Sequence, residues 1–235
     1  MSRTGYTIAV DGPAGSGKTS ISEELARLLA YRFVPTGNMF RGVALLAKGN
    51  KDEGAVTAIA EGAAFEFVYR NGFRTILNRT DITEEIASPG IVPFTSEIAQ
   101  IQAVRAALLT QQKDLAAAGS VILEGRDVGT VVAPDADFKI YLDADFDVRA
   151  DRLFGLLTAE EKAKYGSVKE YADSLAQVDK RDASRLSVLP DSIYHKTGRF
   201  TAREEAVVLY HYVIQRDEVV RNGEILSKDR SVGSG

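Results

Sequence analysis

Gly12-Pro13-Ala14-Gly15-Ser16-Gly17-Lys18-Thr19 fits the pattern G-x-x-x-x-G-K-[ST], and the rest of the chain is read outward from it. Glycines let the backbone curl until successive N–H groups point at one centre, which suits phosphate oxygens. Such a loop must also open a helix, because the N-terminal partial charge of a helix favours an anion. The flanks supply the strand and the helix. Residues 6–10 are apolar and β-leaning, and from Lys18 onward Ile21, Leu25, Leu28 and Leu29 recur at helical spacing on one face. The loop, with Ser20 beside it, is therefore expected to hold a nucleoside triphosphate. Lys18 would bridge the β- and γ-phosphates, and the Thr19 hydroxyl would ligate Mg²⁺. The competing explanation is a chance glycine turn, and the strand–loop–helix context speaks against it.

Beyond this unit the pattern repeats. Residues 31–34 suit a second strand and 36–48 a helix with Met39, Val43, Leu46 and Ala47 together. Alternating strands and helices imply a parallel sheet flanked by helices, an α/β fold. Residues 65–77 break the rhythm. Phe65, Phe67 and Tyr69 alternate, Asn71-Gly72 follows, and Phe73, Thr75 and Leu77 alternate again. Asn-Gly tolerates positive φ at both turn positions, so a hairpin is expected, as a small antiparallel insert. Helical patterning resumes over 95–118. Residues 121–123 and 138–142 read as strands, 148–157 as a helix, 158–167 as an exposed mobile connection, and 168–185 as a charged helix. A last strand is expected near 192–195 and a last long helix over 202–215. Periodicity fades after Arg216, and a disordered tail is expected over about 228–235.

The 235 residues suit one such domain, spanning 1–235, with a small insert. A net charge of −4 argues against a general binder of nucleic-acid polymers, which would carry a basic excess. No cysteine is present, so disulfides, thiolate metal sites and thiol nucleophiles are excluded. No apolar run reaches the ~18 residues of a membrane span, and the opening residues do not read as a signal peptide. A monomeric cytoplasmic protein with no membrane partner is expected.

A triphosphate loop serves switches, motors and kinases. A G-protein switch needs N-K-x-D and D-x-x-G. Asn50-Lys51-Asp52-Glu53 fails the first at its last position, and no aspartate is followed three residues later by glycine. A kinase of small anionic acceptors needs separate arginines for the second anion, since the planar guanidinium meets phosphate oxygens in pairs. Arg41, Arg105, Arg126, Arg149, Arg152, Arg181 and Arg185 are available. For Arg149 with Arg152, and Arg181 with Arg185, a solvated helix face with local ion pairs is the favoured reading when each pair is taken alone. Glu124-Gly125-Arg126-Asp127 differs, because it follows an apolar strand, and strand carboxyl ends border the ligand crevice in such sheets.

Taken with these, Ile8 to Lys18, Thr36-Gly37-Asn38-Met39-Phe40-Arg41, Glu124-Gly125-Arg126-Asp127-Val128-Gly129-Thr130-Val131-Val132 and Arg181-Asp182-Ala183-Ser184-Arg185 resemble the bacterial cytidylate kinases. The order and spacing hold over roughly 6–213. The resemblance implies a P-loop kinase that phosphorylates CMP and dCMP with ATP and Mg²⁺. It also implies a nucleoside-monophosphate-binding insert over about 61–105 and a helical, arginine-bearing lid over about 150–185. Thr36, Arg41, Arg126 and Arg185, with Gly125, would surround the CMP phosphate. Ser96, Arg105 and Asp127 would read cytosine, Asp182 would bind the sugar hydroxyl, and Arg149 and Arg152 would close on the transferring phosphoryl with Lys18. The sequence departs from the family pattern at Pro35, Asn38, Phe40, His195 and Lys196, and at Val178, where an arginine is usual. A kinase of another small acceptor, such as UMP, and a nucleotide-binding module without turnover remain alternatives.

Overall fold

The computed structural model describes residues 5–88 and 91–231, of which 92 and 217–231 are described as backbone alone. Its frame is a five-stranded sheet among the described residues: β1 (Thr7–Asp11), β2 (Arg32–Pro35), β6 (Val121–Glu124), β7 (Phe138–Asp143) and β8 (Ile193–Lys196). The spatial order is β2-β6-β1-β7-β8, and every neighbouring pair is parallel. Successive side chains of a strand point to opposite faces, and the apolar residues divide accordingly. Ile8, Val10, Ile122, Phe138, Ile140 and Leu142 face α1 (Lys18–Leu29) and α10 (Ala202–Ser231), meeting Ile21, Leu25, Ala206, Leu209 and Val213. Ala9, Val34, Val121 and Leu123 face α2 (Thr36–Ala47) and α6 (Gln102–Ala117), meeting Met39, Val43, Val104 and Leu108. Burying one such aliphatic chain contributes about 1.5–3 kcal/mol.

Register does the functional work. Val10 and Pro35 both lie opposite Glu124. The ends of β1, β2 and β6 are therefore level, and the loop after β1, the start of α2 and the Glu124–Asp127 run emerge side by side.

The hairpin forms where the sequence places it, as β3 (Phe65–Tyr69) and β4 (Phe73–Leu77), with Asn71 at φ 52° and Gly72 at φ 116°. A two-residue strand, β5 (Thr80–Asp81), adds a third edge, too short to leave a sequence signal. Phe65 packs so closely on α2 that a Cβ at Gly42 would lie 2.6 Å from its ring. The sequence pattern also missed α3 (Glu53–Gly62), capped by the Asp52 side chain on the Ala55 N–H at 2.8 Å, and the one-turn α4 (Thr83–Ala87).

Three expectations need correction. The helix expected over 95–118 is two helices, α5 (Val92–Ile98) and α6, separated by an extended Ile101. Ile98, Ile101, Val104 and Leu108 keep helical spacing across the break, so nothing in the apolar pattern marks it. The stretch 158–167 is not an irregular connection but contains α8 (Ala159–Tyr165), which begins with a reciprocal capping box between Thr158 and Glu161. It buries none of its own residues, which is why hydrophobic periodicity was silent there. Finally, α10 continues to Ser231, through the first part of the expected tail; the remainder, 232–235, lies outside the described residues.

Candidate active site

The loop between β1 and α1 has Gly12 at φ 151°, Gly15 at φ 77° and Gly17 at φ 89°. A Cβ on Gly12 would come 2.0 Å from the Leu142 carbonyl oxygen, so the loop can lie against β7 only with glycine there. Lys18, the first residue of α1, is 4% exposed and donates from Nζ to the Pro13 carbonyl at 2.7 Å. Burial, and after it the nearby Arg126 guanidinium, push the Lys18 ammonium down to about 7, against the opposing pull of Glu124, Asp11 and Asp182. Asp11, at the end of β1, takes the Val128 and Gly129 N–H groups at 2.9 and 2.7 Å. Burial raises its pKa, and those two amide bonds oppose the rise. They also tie the loop after β6, including a π-type turn at Val128–Val132, to the base of the phosphate loop.

Glu124 is a site residue the sequence reading left unassigned. Its carboxylate accepts from the Thr19 hydroxyl at 3.2 Å and lies 3.9 Å from Lys18 Nζ, while its carbonyl accepts from the Thr36 hydroxyl at 2.8 Å. The signal was present in the register: the last residue of a central strand, level with the loop, faces whatever the loop holds. A hydroxyl and a carboxylate are hard oxygen donors and fit Mg²⁺ held jointly with phosphates. Among the described residues no three His, Asp or Glu side chains converge as a self-contained metal site.

Across the crevice stand the arginines. Gly125 donates its N–H to the Val10 carbonyl at 3.0 Å, which fixes the start of the Arg126 segment on β1. Arg126 Nε donates to Asp182 Oδ2 at 3.0 Å, and Arg185 donates to Asp182 Oδ1, so one carboxylate holds two guanidinium groups together. Arg41, on α2, donates to the Ile86 carbonyl at 3.3 Å. Burial pulls its pKa below the usual value; Glu124 opposes the fall and Arg126 adds to it, so all three share one neighbourhood. Arg105, on α6, pairs with Asp127 at 2.5 Å and lies 6.0 Å from the Phe40 ring centre. Ser96 sits on α5, which packs on α2. Asn38 ties α2 to the insert through Thr75 Oγ1 at 3.0 Å. Val178 lies one turn before Asp182 on α9 (Val168–Asp182), half-buried and uncharged. Arg181 is exposed and bonds back to the Gln177 carbonyl within its own helix, as the ion-pair reading of a helix face would have it.

Arg149 and Arg152 leave α7 (Phe146–Gly155) and meet the phosphate loop's main chain. Arg149 donates to the Ala14 carbonyl at 3.0 Å and forks onto Asp179 at 3.1 and 2.6 Å; Arg152 donates to the Gly15 carbonyl at 3.2 Å. Neither is a solvated helix-face arginine. Beside them, a cleft of about 420 Å³ runs from Gly15, Lys18, Thr19 and Ser20 to Leu153, Leu156 and Phe200. Leu156 and Phe200 are exposed there, the kind of flat apolar walls a nucleobase can cover.

A glycine loop aimed at anions from the end of β1, facing a guanidinium pocket across the same crevice of a parallel sheet, defines a P-loop kinase. A shikimate kinase from Bacteroides thetaiotaomicron shares the fold, with a TM-score of 0.50 at 14% identity, covering 88% of this chain and 98% of that one. The family is narrower: the model of the family described as cytidylate kinase matches residues 8–218. A cytidylate kinase of Caldanaerobacter subterraneus subsp. tengcongensis is 34% identical over 91% of this chain and 90% of its own length. One of Mycobacterium avium is 36% identical over 91% and 97%. The chain belongs to the cytidylate kinase family.

Proposed function

We propose that the protein transfers the γ-phosphoryl group of ATP to CMP or dCMP, giving ADP and CDP or dCDP. Family membership supports the reaction. The observation that carries the site reading is Glu124, whose carboxylate accepts from Thr19 and lies 3.9 Å from Lys18 Nζ while its carbonyl accepts from Thr36, so that Lys18 and Arg126, one from each pocket, stand on either side of one strand end. A phosphoryl group moving between two nucleotides must pass between two such cations.

In this reading an oxygen of the CMP phosphate attacks the γ-phosphorus of ATP, and the bond from that phosphorus to the β–γ bridging oxygen breaks. The acceptor phosphate has a second pKa near ~6 and is mostly dianionic at neutral pH, so no general base is needed. Main-chain N–H groups of residues 14–19 hold the donor phosphates, Pro13 having none to give. Lys18, Arg126, Arg149, Arg152 and Arg185 stabilise the spreading charge, and Thr36 and Arg41 hold the acceptor phosphate. Mg²⁺, held by Thr19 with Glu124 nearby, would neutralise charge on the donor phosphates. Asp127 would accept from the exocyclic amine of cytosine, with Arg105 donating to O2 and N3 and Ser96 beside them; uracil offers a carbonyl where Asp127 needs a donor. Asp182 locks Arg126 to Arg185, and in this reading it would also accept from a sugar hydroxyl of the acceptor.

In this reading α8, α9 and the second half of α7 form the arginine-bearing lid, and β3 to α5 the acceptor-binding insert, of a single domain. Among the described residues no helix is long and apolar enough to cross a membrane. The cysteine-free sequence fits a reducing cytoplasm, and a monomer acting on free nucleotides is the proposed form. Coupled ADP release across CMP, dCMP, UMP, AMP and GMP tests the assignment. Cytosine nucleotides should turn over fastest; preference for UMP, or ATP binding without transfer to any acceptor, would reject it.

A further inference from the structure

Three successive carbonyls of the phosphate loop, those of Ala14, Gly15 and Ser16, each accept a hydrogen bond from outside the loop. A peptide unit is planar and trans, so its C=O and the following N–H point in opposite directions. Whatever holds the Ser16 carbonyl therefore sets where the Gly17 N–H points. The holder is Thr197, a residue none of the roles above uses. It follows β8, is 5% exposed, and places Oγ1 2.8 Å from the Ser16 oxygen.

The same hydroxyl lies 3.1 Å from Arg152 Nη1. Its proton assignment is forced. A carbonyl only accepts and a guanidinium only donates, so the hydroxyl gives its one proton to Ser16 and receives from Arg152. Such a chain polarises each member and strengthens each bond. Thr197 is in turn fixed from behind. Its N–H donates to the Asp143 carbonyl at 2.7 Å. The next residue, Gly198, donates its N–H to Glu205 Oε1 at 3.4 Å, and the other oxygen of this buried carboxylate meets His195 Nε2 at 2.5 Å.

We propose that Thr197 is a positioning residue for phosphoryl transfer: through the Ser16 carbonyl its hydroxyl aims the Gly17 N–H into the phosphate cradle, and it locks Arg152 to the same loop. The inference rests on the donor-site reading of residues 12–19 and adds to it a residue from the far end of the chain. Arg152 and the cradle are then set together rather than separately. A loosened Thr197 should cost the donor nucleotide and leave the acceptor untouched.

Thr197→Val keeps the side-chain shape and removes the hydroxyl; Thr197→Ser keeps the hydroxyl. ATP affinity without acceptor, measured by calorimetry on the full chain, is compared with steady-state kinetics for both substrates. Thr197→Val should weaken ATP binding and lower kcat/KM for ATP about tenfold, with KM for CMP within about twofold of the starting protein. Thr197→Ser should recover to within about threefold. Arg152→Ala and Thr197→Val should together cost less than the product of their separate losses, because they break one chain. A folded Thr197→Val with unchanged ATP affinity and turnover overturns the proposal. So does a Thr197→Ser as impaired as the valine variant, or a loss shared equally by ATP and CMP. If valine prevents folding, Thr197→Ala against Thr197→Ser carries the same comparison. An unaltered chain that binds no ATP would sink the donor site itself, a failure visible before any variant is made.

Discussion

The two anion pockets of the proposed site are built on opposite plans. The donor pocket comes from one continuous stretch, residues 12–19, and offers main-chain amides. The acceptor pocket draws Thr36 and Arg41 from α2, Arg105 from α6, Arg126 and Asp127 from the end of β6, and Asp182 with Arg185 from the end of α9. Its charges are held by partners: Arg105 by Asp127, Arg126 and Arg185 by Asp182. A backbone cradle is rigid once its glycines turn. A side-chain pocket must be held in shape by counter-charges, each of which also trims the attraction for the incoming phosphate. Specificity should therefore be easier to damage on the acceptor side, and chemistry on the donor side.

The largest effects should come from removing one cation from each pocket. Lys18→Ala and Arg126→Ala should each lower kcat/KM at least ~10²-fold, Lys18→Ala with every acceptor offered. Near-normal CMP turnover in either variant would break the comparison at its base. Asp127→Asn should be gentler in rate and sharper in selectivity. The carboxylate acceptor for the cytosine amine is lost, so the CMP-to-UMP ratio of kcat/KM should fall about tenfold or more while ATP affinity holds. An unchanged ratio would remove Asp127 from base recognition. Below these comes the core: Leu123→Ala, on the strand joining the pockets, should cost about 2–5 kcal/mol in a denaturation curve and weaken both substrates alike.

The smallest effect is a proton. The Lys18 pKa is pushed down to about 7, below its ordinary 10.5, so between those values the unfolded chain holds a proton that the folded one has released. Stability from this group thus rises as pH increases from about 7 toward 10.5. Triphosphate near the ammonium favours its charged form, so ATP binding at pH 8 should take up as much as one proton. Calorimetry in buffers of different ionisation heat reads this directly, and Lys18→Met should abolish it. Buffer-independent heats in the unaltered protein would show that Lys18 is already charged there.

Legibility followed the same division. The glycine loop, the Asn71-Gly72 hairpin and the Glu124–Asp127 run could be read because each is a local pattern with a local physical cause. The capping box at Thr158 was legible too, but it was masked by a helix with no buried face. Glu124 needed the sheet register, since only the level ends of β1 and β6 bring its carboxylate to Thr19. Arg149 and Arg152 were expected to face the moving phosphoryl; their observed partners include the Ala14 and Gly15 carbonyls, which no spacing in the sequence announces.

By itself the sequence determined the glycine loop at the start of α1, the proposed anion grip, because backbone curvature and a helix terminus need only neighbouring residues. Tertiary structure decided what surrounds that grip. Thr197 and Ser16 are 181 positions apart along the chain, and Asp182 meets Arg126 across 56. A side chain that reaches so far acts only where parallel strands end level and helices pack over them, and that alignment is a property of the folded sheet.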